Sequence, residues 1–275
     1  MPRPVLSALA FGTILLIPPA VRADVTTLTA AGSTALLPLL AASAELYQSR
    51  HPATTIAVSG GGSHQGIAQV AAGNADLGMS DTPASGYPNL VDHRVCIVGY
   101  SVLANPAAGV TNLSKRQLQD IFAGKVANWR EVGGADLTVI AINRPRGTGT
   151  RLVFAQTIMG AVPVLDSAPT EDSTAALLAD VRTTPGAISY AAFPGLKQYV
   201  DDHFAGIDGV RELAIDGAQP TEEDIGSGRY PLWSYEHVYT NGPPSREISR
   251  FLALVESNAE TIHALGFIPM RAQFR

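Results

Sequence analysis

A single cysteine, Cys96, stands in the 275 residues of the chain, which excludes an internal disulfide framework and a thiolate metal cluster. Its setting, Val95-Cys96-Ile97-Val98, reads as a small apolar residue inside a strand. The chemistry-bearing signatures of the common hydrolases are missing as well. No HExxH pattern occurs, no Lys-Ser or Lys-Thr follows Gly66, and there is no GxSxG turn, so metalloprotease, P-loop and nucleophile-elbow chemistries all lack their residues. Histidine is scattered over six positions. Asp201-Asp202-His203 groups three ligand-type side chains, but three consecutive residues cannot all face one ion from regular structure, and the segment reads as a solvated loop. Positive charge is scarce: 24 Asp and Glu outweigh 19 Lys and Arg, for a formal net charge of −5. A net acidic surface attracts neither nucleic acid nor anionic lipid, so any bound anion must be held by a local pocket against the global field. Beyond the N-terminus no apolar run approaches the roughly 20 residues that a membrane-spanning helix requires.

What is present begins with an export signal. Arg3 precedes an apolar stretch from Val5 to Ile17, Pro18-Pro19 break it, and Val21 and Ala23 supply the small-residue end of a cleavable leader, with cleavage expected after Ala23. No lipid-attachment cysteine stands near that point, so the mature protein is expected to diffuse freely, periplasmic or secreted. Its loss of Arg3 and Arg22 makes the remainder more acidic. About 250 residues remain, more than one compact core usually holds, which implies two domains or one large α/β unit.

Hydrophobic periodicity from Asp24 to Asp81 predicts strand, helix, strand, helix, strand over 25–30, 36–50, 54–59, 67–72 and 75–79. This alternation implies parallel strands with crossover helices, a doubly wound α/β domain. Further strands are expected over 95–103, a crossing point between lobes, and over 137–142, 187–190 and 236–240. Helices are expected over 114–122 with Ser114 as N-cap, over 150–159 and over 245–256, with a short one before Gly266.

Three loops then fall after the carboxyl ends of parallel strands, where open α/β sheets bind ligands. Gly32-Ser33-Thr34-Ala35 opens a helix, offering unpaired N–H groups and two hydroxyls. Gly60-Gly61-Gly62-Ser63 opens the next, with glycines that let backbone approach an oxyanion and Ser63 as a further donor; His64 reads as a helix-start or rim residue. Each loop taken singly reads as ordinary capping or turn formation; it is their placement at equivalent ends of adjacent strands that points to a ligand. The third, Met79-Ser80-Asp81, places a carboxylate at an anion site. That makes sense for a ligand carrying a proton: phosphate near neutral pH can donate one hydrogen bond to Asp81, and sulfate cannot. A fourth element, Arg144 with Arg146-Gly147-Thr148-Gly149-Thr150-Arg151, adds a planar two-pronged guanidinium donor, more hydroxyls and helix-start amides.

At these residues the sequence resembles the phosphate-binding proteins of bacterial phosphate ABC transporters, over essentially the whole mature chain. Gly32 to Pro38, Gly60 to Gly66, Ala75 to Asp81 and Arg144 to Phe154 carry the likeness, supported by Asn128-Trp129, Thr184 to Tyr190, Tyr230 to Leu232 and Phe251 to Pro269. The resemblance implies two doubly wound α/β lobes joined by a two-crossover hinge, the type II periplasmic binding protein fold, with lobe I at 24–100 plus 237–275 and lobe II at 101–236. It implies a monomer without cofactor or enzymatic activity that binds inorganic phosphate and delivers it to an inner-membrane permease; a sensor, scavenger or surface protein of the same fold is the alternative. Its ligand set, carried over, is Ser33, Thr34, Ala35, Ser63, Asp81, Arg144, Thr148, Gly149 and Thr150. Two positions depart from the family pattern: Thr148 stands where Ser is commonest, and Arg146 stands where family members often carry the acid that partners the ligand arginine.

Overall fold

The computed structural model describes residues 25–197, 199 and 207–270; the leader at 1–23 and the Asp201-Asp202-His203 segment lie outside them. In chain order the elements are β1 (Thr26–Gly32), α1 (Leu37–Arg50), β2 (Thr54–Ser59), α2 (Ser63–Ala71), β3 (Leu77–Ser80) and β4 (Leu90–Ala104). Then come β5 (Asn112–Leu113), α3 (Lys115–Phe122), β6 (Ile140–Ala141), α4 (Gly149–Phe154), α5 (Thr174–Thr183) and β7 (Ala187–Ala192). The described chain ends with α6 (Phe193–Lys197), β8 (Arg211–Ile215), α7 (Glu222–Gly226), β9 (Trp233–Asn241), α8 (Arg246–Ser257), α9 (Ala259–Ala264) and β10 (Ile268–Pro269).

The first βαβαβ run forms as its periodicity predicts. Pro38 sits in the first turn of α1, where its missing N–H costs nothing, and Leu39, Leu40, Ser43, Ala44 and Tyr47 form the buried stripe. β1 pairs in parallel with both β2 and β3. α2 lies unusually close to these strands: a Cβ on Gly66 would come 2.7 Å from the Ala31 carbonyl oxygen. That intimacy, available only to glycine, presses the start of α2 onto the end of β3 and fixes where Ser63 and Asp81 meet.

β4 ties the molecule together. Its first half, Leu90 to Gly99, pairs antiparallel with β9, and its second half, Tyr100 to Ala104, pairs antiparallel with β7, with β8 alongside. The strand order through the described sheet is β2-β1-β3-β9-β4-β7-β6. β4 is buried at every residue from Val95 to Ala104, as expected of a strand covered on both faces; Cys96 is there, free and buried. β9 pairs with the first half of β4 from Trp233 onward.

On the far side of β4, Phe154 of α4 stacks on Tyr190 of β7 with centroids 3.9 Å apart, and Phe122 meets both rings edge-on. Deleting such a buried ring costs about 3–5 kcal/mol. This aromatic block anchors α4, which runs on through a wider π turn at Ala155–Met159, and so sets the position of Gly149 and Thr150 at its start.

Candidate anion-binding site

Three loops of the first half converge through their own backbone. The Ser33 N–H donates to the Met79 carbonyl at 3.0 Å, and the Gly62 N–H donates to the Gly32 carbonyl at 2.8 Å. Ser63 closes the triangle: its hydroxyl accepts from the Asp81 N–H at 3.0 Å and donates to Asp81 Oδ1 at 3.3 Å. Asp81 is only 2% exposed. Burial pushes its carboxyl above the usual Asp range, while hydrogen bonds from Ser33 and Ser63 and the nearby His237 pull the other way. An acidic acceptor is thus held in a dry place by two hydroxyl donors.

α4 brings the opposite wall against this cluster. A Cβ on Gly149 would run into the Asp81 carboxyl group and stand 2.6 Å from Ser63 Oγ. The Gly149 and Thr150 N–H groups, as the first two of a helix, lie ahead of its internal hydrogen-bond ladder and are free to serve a ligand. The Thr148 hydroxyl is spent locally, accepting from the Arg151 N–H at 3.4 Å and donating to the Pro145 carbonyl at 2.9 Å. It is the N-cap of α4 rather than an open donor.

Arg144 supplies the charge. It is 9% exposed, its Nη2 donates to the Asp172 carbonyl at 2.7 Å, and its Nε and Nη1 have no hydrogen-bond partner among the described residues. Burial disfavours the charged guanidinium and lowers its pKa, with Tyr190, Asp172 and Glu171 opposing. Buried donors left unpaired are costly, about 1–3 kcal/mol each, and mark a place where an acceptor belongs. Arg144 also lines a cleft of about 200 Å³, together with Thr34, Ala35, Thr150 and Thr174.

The expected residues divide by what they can still give. Ser33 is buried, and its hydroxyl accepts from the Ala35 and Leu36 N–H groups, each at 3.1 Å, so it holds the loop and occupies the Ala35 amide. Thr34 and Thr150 line the cleft. Ser63 and Gly149 abut Asp81, and His64 lines a neighbouring space of about 430 Å³ with Thr82, Tyr87 and Gln156, a rim position. Two participants escaped the sequence. Asp172, by its backbone carbonyl, is the partner of Arg144, and no side-chain pattern could have signalled it. Arg151 is buried and donates to the Arg144 carbonyl at 3.0 Å; its place inside the Arg-rich turn was its one signal. Arg146 turns away, pairing with Asp166 on the exposed surface. Among the described residues no group of His, Cys, Asp and Glu could hold a metal ion.

A sequence model described as the PBP superfamily domain matches residues 18–259. The phosphate-binding protein PstS of Bacillus subtilis is 38% identical over 252 residues, a span covering 88% of this chain and 80% of that protein. The chain belongs to the PstS family. Solved PstS-like structures agree with the fold: an ABC-type phosphate transport receptor from Vibrio cholerae superposes with a TM-score of 0.76 at 27% identity, over 88% of this chain and 100% of that one. A phosphate ABC transporter substrate-binding protein from Clostridium perfringens, solved with bound phosphate, gives a TM-score of 0.78 at 23% identity over 90% and 100%. The two-lobed type II binding-protein fold read from the PstS family's loops is therefore the fold of this chain. No described helix is long and apolar enough to cross a membrane.

Proposed function

We propose that this PstS-family chain is an extracytoplasmic solute-binding protein that captures inorganic phosphate between two lobes and hands it to an inner-membrane ABC permease, and that it catalyses no reaction. The observation that carries the reading is a buried cation with two unpartnered N–H groups, Arg144, and a buried carboxylate, Asp81, both brought to the start of α4: Arg144 shares its cleft with Thr150, and Asp81 lies against Gly149. A ligand that satisfies both must be an anion that still carries a proton. Phosphate accepts from Arg144 and the start of α4 and donates to Asp81; sulfate presents only acceptors and leaves Asp81 facing an unpaired lone pair. The Bacillus relative, a phosphate-binding protein, supports the same ligand, and the Vibrio relative, a phosphate transport receptor, supports the transport role.

Lobe I comprises 24–100 plus 237–275 and lobe II 101–236, with β4 and the stretch entering β9 as the crossovers about which they close. The leader is removed after Ala23, leaving a periplasmic or secreted monomer. N-terminal sequencing of the exported protein checks the cleavage. Titration calorimetry on protein unfolded and refolded free of ligand checks the binding: saturable heat with micromolar phosphate is expected, and no heat would sink the reading.

A further inference from the structure

Behind Asp81 the sheet buries a second carboxyl group that phosphate capture, as described, does not use. β3 and β9 run antiparallel with Ser80 opposite His237, so Asp81 comes one step further along, beside Glu236. Across the next strand boundary Glu236 lies opposite Cys96. Alternation along β9 turns the Glu236 side chain to the face opposite His237 and Tyr235. Glu236 is 0% exposed, and neither of its carboxyl oxygens has a hydrogen-bond partner among the described residues.

The titratable neighbours are Asp81 just past β3, Cys96 and Tyr100 from β4, and His237 on β9 itself. β10 brings only Ile268 and Pro269, and α8, which packs against β4, buries only the apolar Ile248, Phe251, Leu252 and Val255. His237 is tied to Asp92 on the other face at 2.8 Å. Among the described residues no cation therefore stands beside Glu236 to balance a charge there. Two carboxylates this close in a dry interior cannot both ionise.

We propose that Glu236 is a positioning residue of the anion site: as a neutral carboxyl it leaves Asp81 the one negative charge facing the ligand, and when it ionises the site loses its anion. Burial, with Asp81 adding to it, pushes the Glu236 carboxyl well above the ordinary range, in keeping with that geometry. Cys96 and Tyr100 are pushed up in the same patch. The consequence is an alkaline limit to capture, set inside the protein and separate from the ligand's own titration.

The inference rests on the phosphate-binding reading, and its test has one arm that needs no ligand. In infrared spectra of the ligand-free protein at about pH 8.5, above the titration of Glu212 at about 7, a protonated-carboxyl band is expected in wild type and absent from Glu236→Gln. A wild type without the band overturns the proposal whether or not phosphate binds. In the second arm phosphate affinity is measured from about pH 6 to pH 10 for wild type and Glu236→Gln, so that ligand titration cancels in the ratio. Wild type should lose affinity relative to the variant by about tenfold per pH unit once Glu236 ionises; a constant ratio overturns the proposal. Should the glutamine variant fail to fold, Glu236→Met takes its place in both arms.

Discussion

Alanine at position 149 separates folding from capture. Gly149 opens α4 in helical backbone, a conformation alanine adopts freely, with up to about 1 kcal/mol gained in helix propensity. Its new methyl, however, would overlap the Asp81 carboxyl and sit 2.6 Å from Ser63 Oγ. Ordinary contact at about 3.5–4 Å requires the two walls to part by more than roughly 1 Å. Hydrogen bonds tolerate only a few tenths of an ångström, so an anion held by one wall loses its bonds to the other. Two charge-assisted bonds at about 1.5–3 kcal/mol each come to about 3–6 kcal/mol, a loss of affinity on the order of 10²–10⁴-fold. Calorimetry with phosphate should show that loss while the ligand-free thermal midpoint stays level or rises. Unchanged affinity, or a loss of binding that tracks a loss of fold, would refute the reasoning.

Three more substitutions probe the same site. Arg144→Ala should weaken phosphate by about 2–5 kcal/mol, roughly 30- to 5,000-fold, in equilibrium binding, since the buried charge is the ligand's main counter-ion. Asp81→Asn should let sulfate compete, because an amide donates to a fully deprotonated oxyanion; a competition assay with the two anions reads this directly. In wild type, sulfate competition should appear as pH falls, because protonated Asp81 becomes a donor, and the onset should lie above the usual Asp range since burial raises that carboxyl. Arg146→Ala should change affinity less than about fivefold, because its exposed pair with Asp166 contributes at most about 1 kcal/mol.

The first βαβαβ run was legible because period and punctuation agreed: β2 begins at Thr54 and ends at Ser59 as its β-branched alternation predicts, and α1 stops before Pro52. Ser114 caps α3 with a full capping box. Elsewhere local signals were overridden. The run over 137–142 is apolar but for Thr138, yet strand pairing survives only at Ile140–Ala141, because the preceding residues fold back on Asn128 and Trp129. β4 begins at Leu90, five residues before its apolar run, because pairing with β9 extends along an exposed edge. α5 and β8 were missed: α5 lacks a clear amphipathic stripe, and β8 is short with charged residues at its start. At the site, the four loops were readable as donors at strand ends. What could not be read was which hydroxyls the fold would consume, since Ser33 and Thr148 serve as caps only once their own backbones are in place. The acid absent at 146 is replaced by the Asp172 carbonyl, a backbone group that carries no sequence signature.

The central claim is that one proton-bearing oxyanion is gripped between Arg144 and Asp81. Its most direct test is equilibrium binding of labelled phosphate to the refolded, ligand-free protein at neutral pH in a large excess of sulfate. One phosphate per chain, bound saturably and undisplaced by sulfate, is the predicted result. Phosphate that fails to saturate, or that sulfate displaces as readily as unlabelled phosphate does, would contradict it.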